Sequence, residues 1–317
     1  MVSDFRTNLH RGLNGQAVAF ADLFDFLRST VGTCTNSSGV VSTAAIGKPR
    51  YDHVFEDGQW LSRGLLIEGH ARTNLLRWTS DFGNSAWSRT RSSITPNAGF
   101  STDGSTSATR LTSTAATYDG AVRQSVSYTS GDTLTFSIYA KAGDRPYVFL
   151  RERTRGLFKD TYFDLTNGVT GTVNYVHTAQ IQNAGNGWYR CAITVVATQS
   201  AGTDFEIYSS EDDYDTSSTQ PVYVLIWGAH LEKGHGPSSY IATQDTPVQR
   251  AGDVLSMFCG HLSDPSASVV VSLTLSGNLQ IVQGTGPVSL LHWTDPSGDR
   301  IELHVEADTV TTGQLVV

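Results

Sequence analysis

The chain has 317 residues, with 30 acidic against 22 basic side chains for a net charge of −8, and only 16% of it is charged. Ser and Thr number 71, Gly adds 30, and Lys is nearly absent at four against 18 Arg; that composition excludes a coiled coil and disfavours an all-α fold, and it suits strands joined by Ser/Thr/Gly turns. The acid excess argues against a nucleic-acid binder, and no apolar run reaches the roughly 20 residues of a membrane span.

In chain order, the first 63 residues stand apart with balanced charge. Phe20, Leu23, Phe24 and Leu27 fall at i, i+3, i+4 and i+7, which predicts a short helix within residues 15–28. The alternation of Phe24 and Phe26 with Asp25 and Leu27 leaves an extended segment as the alternative. Turn-rich sequence follows through residue 57, punctuating short extended pieces of an arm that lies along other surfaces. The N-terminus lacks a positive region followed by an apolar core, so no secretory signal is expected.

From about residue 73 to 253 the pattern is that of an antiparallel sandwich. Strands are expected at 108–111, 121–128, 133–142, 147–152, 161–165, 172–182, 188–197, 204–208 and 222–231, with turn signals between them. Leu134, Phe136, Ile138 and Ala140 alternate with Thr133, Thr135, Ser137 and Tyr139, so one face enters the core and the other meets water or a ligand. From residue 266 a new run of strand-like segments begins, and its strands either open a further domain or complete a neighbour's sheet; residues 264–317 carry six acids and one base. The three cysteines, Cys34, Cys191 and Cys259, are far apart and lack a CxxC spacing, so free thiols are expected.

Three groups of motifs carry a resemblance. The first is PRYDH at 49–53, GLLIE at 64–68, RTNLL at 72–76, DF at 81–82 and SAW at 85–87. The second is AKAG at 140–143 with NGWYR at 186–190; the third is IWGAHLE at 226–232, PSSYI at 237–241 and RAGD at 250–253. This order resembles the fibre and spike proteins of tailed bacteriophages and gene transfer agents, whose shared module is similar to the jelly-roll carbohydrate-binding modules of polysaccharide-degrading enzymes. The match covers roughly residues 30–253; Cys34 and Asn36 depart from it where aromatic and acidic residues are frequent.

The resemblance implies a mainly β protein in three parts: an attachment arm at 1–63, a jelly-roll carbohydrate-binding-module-like domain at 64–255, and at 256–317 the start of a laminin-G or concanavalin-like sandwich or a strand-exchange segment. It implies a structural virion protein, a head, neck or tail fibre or spike subunit exposed on the particle. Residues 1–63 would meet capsid, portal, neck or tail proteins, the oligomer would be a trimer, and the body would bind host-surface glycan. The alternatives are a soluble carbohydrate-binding module of a polysaccharide-degrading enzyme and a capsule depolymerase spike.

The residues offer two candidate sites. Aromatic planes stack on pyranose rings and forked Arg donors hold hydroxyls or carboxylates, which selects Tyr139, Tyr147, Phe149, Arg151, Arg153, Tyr208 and Tyr214 as glycan contacts. An anionic capsule polysaccharide fits the Arg run at 151–155. The acid cluster Glu211, Asp212, Asp213 and Asp215 is a candidate calcium loop, since a hard cation takes several oxygen ligands, although it lacks EF-hand spacing. No other cofactor is expected. GxSxG, HExxH and a Rossmann fingerprint are all absent, so no enzyme is expected.

Overall fold

The computed structural model describes residues 2–11, 15–114, 120–144, 146–155, 158–215 and 222–257, together with three strands beyond them. The chain divides into two compact units, Met1–Phe258 and Cys259–Val317. In the second, Val288–Thr294, Arg300–Ala307 and Gly313–Val316 pair antiparallel in that order. The rest of the segment predicted from residue 266, and Cys259, lie outside the described residues.

The first unit is a jelly-roll-like sandwich of two six-stranded sheets. The first sheet runs Ser92–Thr95, Thr109–Ser113, Val222–Lys233, Thr133–Ala142, Trp188–Val196, Thr178–Asn183. The second runs Val169–Thr170, Lys159–Asp164, Tyr147–Glu152, Ala201–Ser210, Ala121–Tyr128, Ser88–Thr90. All pairs are antiparallel. The alternation that predicts the strands also sets their faces. Leu134, Phe136, Ile138, Cys191, Ile193 and Val195 of the first sheet meet Val148, Leu150, Phe163, Phe205 and Ile207 of the second in one core. Phe136 and Phe205 cross that core edge-on at 5.5 Å. Each such ring or aliphatic side chain contributes roughly 1.5–3 kcal/mol by leaving water.

Two sequence expectations change in the sheets. The single strand expected at 172–182 becomes Val169–Thr170 and Thr178–Asn183 with a loop between them. The loop's backbone keeps two bonds to Tyr162, from Gly171 N–H and to the Thr172 carbonyl, both at 2.9 Å, and beyond them turns to side-chain acceptors: Asp213 Oδ1 takes Thr172 N–H at 2.8 Å and Thr161 Oγ1 takes Asn174 N–H at 3.1 Å. Trp227 and Leu231, four apart and so on one face of an unbroken strand, lie on opposite faces. Gly228 sits at φ +65 where the register slips between Ser137 and Tyr139, and this extra residue is a β-bulge that reverses the alternation.

The N-terminal region also differs from expectation. The helix is one turn, Phe20–Leu23, and the chain then runs extended as Phe24–Leu27, paired with Val254–Met257. Alternation wins because Phe26 is buried and Leu27 exposed on opposite sides of that ribbon, while Phe20 and Phe24 close on Phe5 and His10 in a ring cluster with centroid spacings of 5.2–6.3 Å. Two hairpins follow, Gly32–Thr35 with Val41–Ala44 and Tyr51–Glu56 with Gln59–Leu65. A boundary at 63/64 falls inside the last of these strands, and one at 255/256 falls inside Val254–Met257.

A buried ion network joins this region to the end of the sandwich. Asp253 accepts from Arg28 Nη1 at 3.2 Å and from Arg50 Nη2, and all three side chains are shut off from solvent. Glu68 accepts from Arg50 Nη1 at 2.7 Å and faces Arg250 Nε at 3.3 Å. Arg250 donates locally to the Ala251 carbonyl at 2.8 Å, and both Arg250 and Asp253 also bind partners about 180–225 positions away. Burial works against the Glu68 carboxylate, but Arg250 and Arg50 outweigh it and hold its pKa below the usual value. The RTNLL motif plays a similar part: Asn74, fully buried, donates to Ala229 and Ile241 carbonyls and accepts from Leu231 N–H.

Candidate functional site

The outward face of the second sheet gathers most of the glycan-contact candidates. On adjacent strands Phe149 stands opposite Tyr162 on one side and Tyr208 on the other, and Arg151 stands opposite Asp160 and Glu206. The Phe149 and Tyr208 rings are stacked at 4.3 Å and 8°, with Tyr162 tilted 4.6 Å from Phe149. These three rings are buried. They form a pedestal whose accessible rim is half-buried Tyr147 and Arg151 with exposed Phe158 (50%) and Tyr214 (77%).

Arg151 is fixed at the centre of this face. It donates to both oxygens of Asp160, at 2.7 and 2.8 Å, and to Tyr208 Oη at 3.0 Å. Its guanidinium lies 4.7 Å from the Tyr208 ring and 4.6 Å from that of Phe158. Burial would lower its pKa, yet the Asp160 bond and nearby anionic groups hold it raised. Burial and the bond to Glu206 push the Tyr208 hydroxyl up, so it stays a donor. Arg153 stacks over Phe158 at 3.8 Å and reaches Glu206 at 3.5 Å. A bidentate Arg among rings is a rigid platform, because its fork is pre-organised and its charge is balanced.

Tyr139 is not part of this face. It lies on the outward side of the first sheet, 5.5 Å from Trp227 and 6.4 Å from Tyr240, buried with Trp188 and Ala108. Val41 of the first hairpin packs on that cluster, and Thr33 Oγ1 donates to the Tyr240 carbonyl at 2.6 Å.

In the acid loop two carboxylates, those of Asp212 and Asp213, accept hydrogen bonds from the protein itself. Asp213 takes both the backbone and the hydroxyl of Thr172 at 2.8 and 3.1 Å, and Asp212 accepts from Asp213 N–H. Ser210 Oγ donates to the Asp212 and Asp215 carbonyls. Among the described residues no three His, Cys, Asp or Glu side chains are gathered as a metal would require. Cys34 and Cys191 are free thiols, and burial raises the pKa of both.

Several members of the site were missed in the sequence. Asp160 and Tyr162 sit on the strand next to Phe149 and follow from register alone once the 147–152 and 161–165 strands are paired. Phe158 precedes a strand and gave no periodic signal. Glu152, within the Arg run, is buried and bound to His177 Nε2 at 3.0 Å, while His177 Nδ1 meets Thr161 Oγ1 at 2.8 Å. That chain ties the two sheets together at their open edge.

No protein-family model matches the chain, and no curated protein does. Solved structures that it is similar to include the carbohydrate-binding module TmCBM61 in complex with β-1,4-galactotriose, at 10% identity over 51% of this chain and 99% of that one, TM-score 0.33. Another is the CBM22-1–GH10 part of the Clostridium thermocellum xylanase 10B complexed with xylohexaose, at 10% identity over 56% of this chain and 30% of that one, TM-score 0.31. A third is the mannan-recognising module TmCBM27, at 10% identity over 59% of this chain and 99% of that one, TM-score 0.28. No residue is carried over from them.

Proposed function

We propose that this chain is a non-catalytic glycan-binding β-sandwich whose contact surface is the outward face of the second sheet. One observation carries the reading: exposed Phe158 and Tyr214 flank half-buried Tyr147 and Arg151 on a buried three-ring pedestal. Exposed rings beside fixed polar donors are the chemistry of sugar recognition, in which ring faces stack and donors orient hydroxyls. Three carboxylates beside the rings are engaged by the protein itself, Asp160 and Glu206 by Arg or Tyr208 and Asp164 by Asn167 and Tyr147, which supports a binding role over glycosidic cleavage. Affinity electrophoresis of the full chain through gels containing neutral and uronate polysaccharides tests it. Retardation by at least one polysaccharide, weakened in Phe158→Ala and Tyr214→Ala, is expected; free migration of the wild type through all of them, or release of reducing ends, refutes it.

The second reading is attachment to a phage-like particle through residues 1–63, as a trimeric surface fibre or spike. Its support is the sequence resemblance, together with exposed Leu9, Leu27, Val31, Ile46 and Leu61 in that region, which such attachment would cover. Incorporation of a full-chain Leu27→Asp, Ile46→Asp variant into particles tests it: undiminished incorporation removes this reading and leaves the first untouched.

A further inference from the structure

We propose that the outward face of the first sheet is a second binding face, for hydroxyl-rich chains, kept closed by the two hairpins at residues 32–65. This goes beyond the second-sheet face and does not depend on it. The residues of this face are set by register. Tyr139 stands opposite Trp227 on one side and Arg190 on the other, and Ser137 opposite His230. Tyr240 lies across them, 4.7 Å from Trp227 and 6.2 Å from the His230 ring.

The polar atoms here are unusual in kind. Arg190 Nη2 donates to Ser137 Oγ at 3.2 Å and to His230 Nδ1 at 3.3 Å. A guanidinium only donates, so Nδ1 is the acceptor and Nε2 carries the ring proton. Glu232 Oε2, at 3.9 Å, is beyond hydrogen-bond reach of that proton. Trp227 Nε1, Arg190 Nε and His230 Nε2 are therefore three buried N–H donors without an acceptor among the described residues. Buried polar groups are normally satisfied, and a cluster that only packed would carry Phe or Leu at these places. Three donors set among flat rings call for a ligand that brings acceptor oxygens and an apolar face, as a pyranose does. Ordered water would serve them while the face is closed.

The cover is pinned between its two hairpins by Arg50 on Glu68 and Asp253, and on either side of that pin each hairpin can lift without breaking a sandwich sheet. Each hairpin pairs only with itself, and neither adds a strand to a sandwich sheet. The first hairpin reaches the underlying residues through the Thr33 hydroxyl on Tyr240 and through Val41 N–H on the Thr102 carbonyl at 2.8 Å. The Trp60 ring of the second is wedged against Gly39 and Gly185, where an added Cβ would come within 2.2 and 2.5 Å of it. Glycine is needed at both places, since φ is also positive there.

The test uses the full chain carrying Thr33→Val and Trp60→Ala, run in affinity gels of galactan, xylan, mannan and polygalacturonate. At least a ten-fold gain in affinity for one of them is expected. Trp227→Phe, which keeps a ring but removes a donor, should abolish that gain, and Phe158→Ala should leave it. A folded opened variant with no gain on any of the four, or a gain lost with Phe158→Ala and kept with Trp227→Phe, overturns the proposal. If the opened variant does not fold, hydrogen exchange of the wild type decides. Hairpin amides at 32–65 exchanging at least ten-fold faster than those of Thr133–Ala142 and Trp188–Val196 support a detachable cover; exchange at the same rate overturns it.

Discussion

On the second sheet the Phe149–Tyr208 stack ends in side chains that reach solvent; on the first, the Tyr139–Trp227–Tyr240 cluster ends under two hairpins. Both faces arise from the same device, aromatic and Arg residues at alternate strand positions. They differ in how their polar atoms are served. Arg151 has both oxygens of Asp160 and the Tyr208 hydroxyl, whereas Arg190 Nε and two neighbouring donors have no acceptor among the described residues. The open face leaves one such donor, Arg153 Nε; the covered face gathers three. A covered face can leave donors idle only if something else serves them.

The comparison can be broken at the hub that anchors the covering region. Asp253→Ala strands the buried guanidiniums of Arg28 and Arg50, and loss of one partner of a buried pair should destabilise by about 4 kcal/mol. Denaturant unfolding reads this; a loss below about 1 kcal/mol would show that the hub is solvated in solution. The pedestal comes next. Phe149→Ala removes a fully buried ring and should cost about 3 kcal/mol by the same measurement, while leaving hydrogen exchange in the hairpins unchanged.

The covered face should also respond to pH. Burial first, then Arg190 and Arg250, depress the His230 pKa well below the ordinary 6.5. As pH falls below 6.5 the unfolded chain binds a proton that the folded chain refuses, so stability declines by up to about 1.4 kcal/mol per pH unit. Glu68, held low, adds its loss only further down, as pH drops through its folded value. Thermal melts from pH 7 to pH 5 should show the first slope, and His230→Gln should flatten it; an unchanged slope assigns it to another group. The smallest effect on stability is expected at the rim. Phe158→Ala should shift unfolding by under about 0.5 kcal/mol yet reduce polysaccharide retention about ten-fold, since a stacked ring is worth on the order of 1 kcal/mol.

Much of the sandwich was legible because alternation is a local property. Leu134, Phe136, Ile138 and Ala140 announce one face of Thr133–Ala142 whatever lies around them, and the run from 147 to 151 places Tyr147, Phe149 and Arg151 together. The short helix and its extended alternative were both legible, the first in the spacing of Phe20, Leu23, Phe24 and Leu27 and the second in the alternation of Phe24 and Phe26 with Asp25 and Leu27; pairing with Val254–Met257 decided where one gives way to the other.

By itself, then, the sequence determined a mainly β chain, its main strands, and a row of rings and guanidiniums at alternate positions, because side-chain direction in a strand is fixed by its period of two. Only the tertiary structure decided which rows are open. The bulge at Gly228 turned Trp227 away from Leu231, the hairpins closed over Tyr139, and Asp253 bound Arg28 and Arg50 across more than 200 positions. Those outcomes depend on which distant segments meet, and residue spacing along the chain carries no record of that.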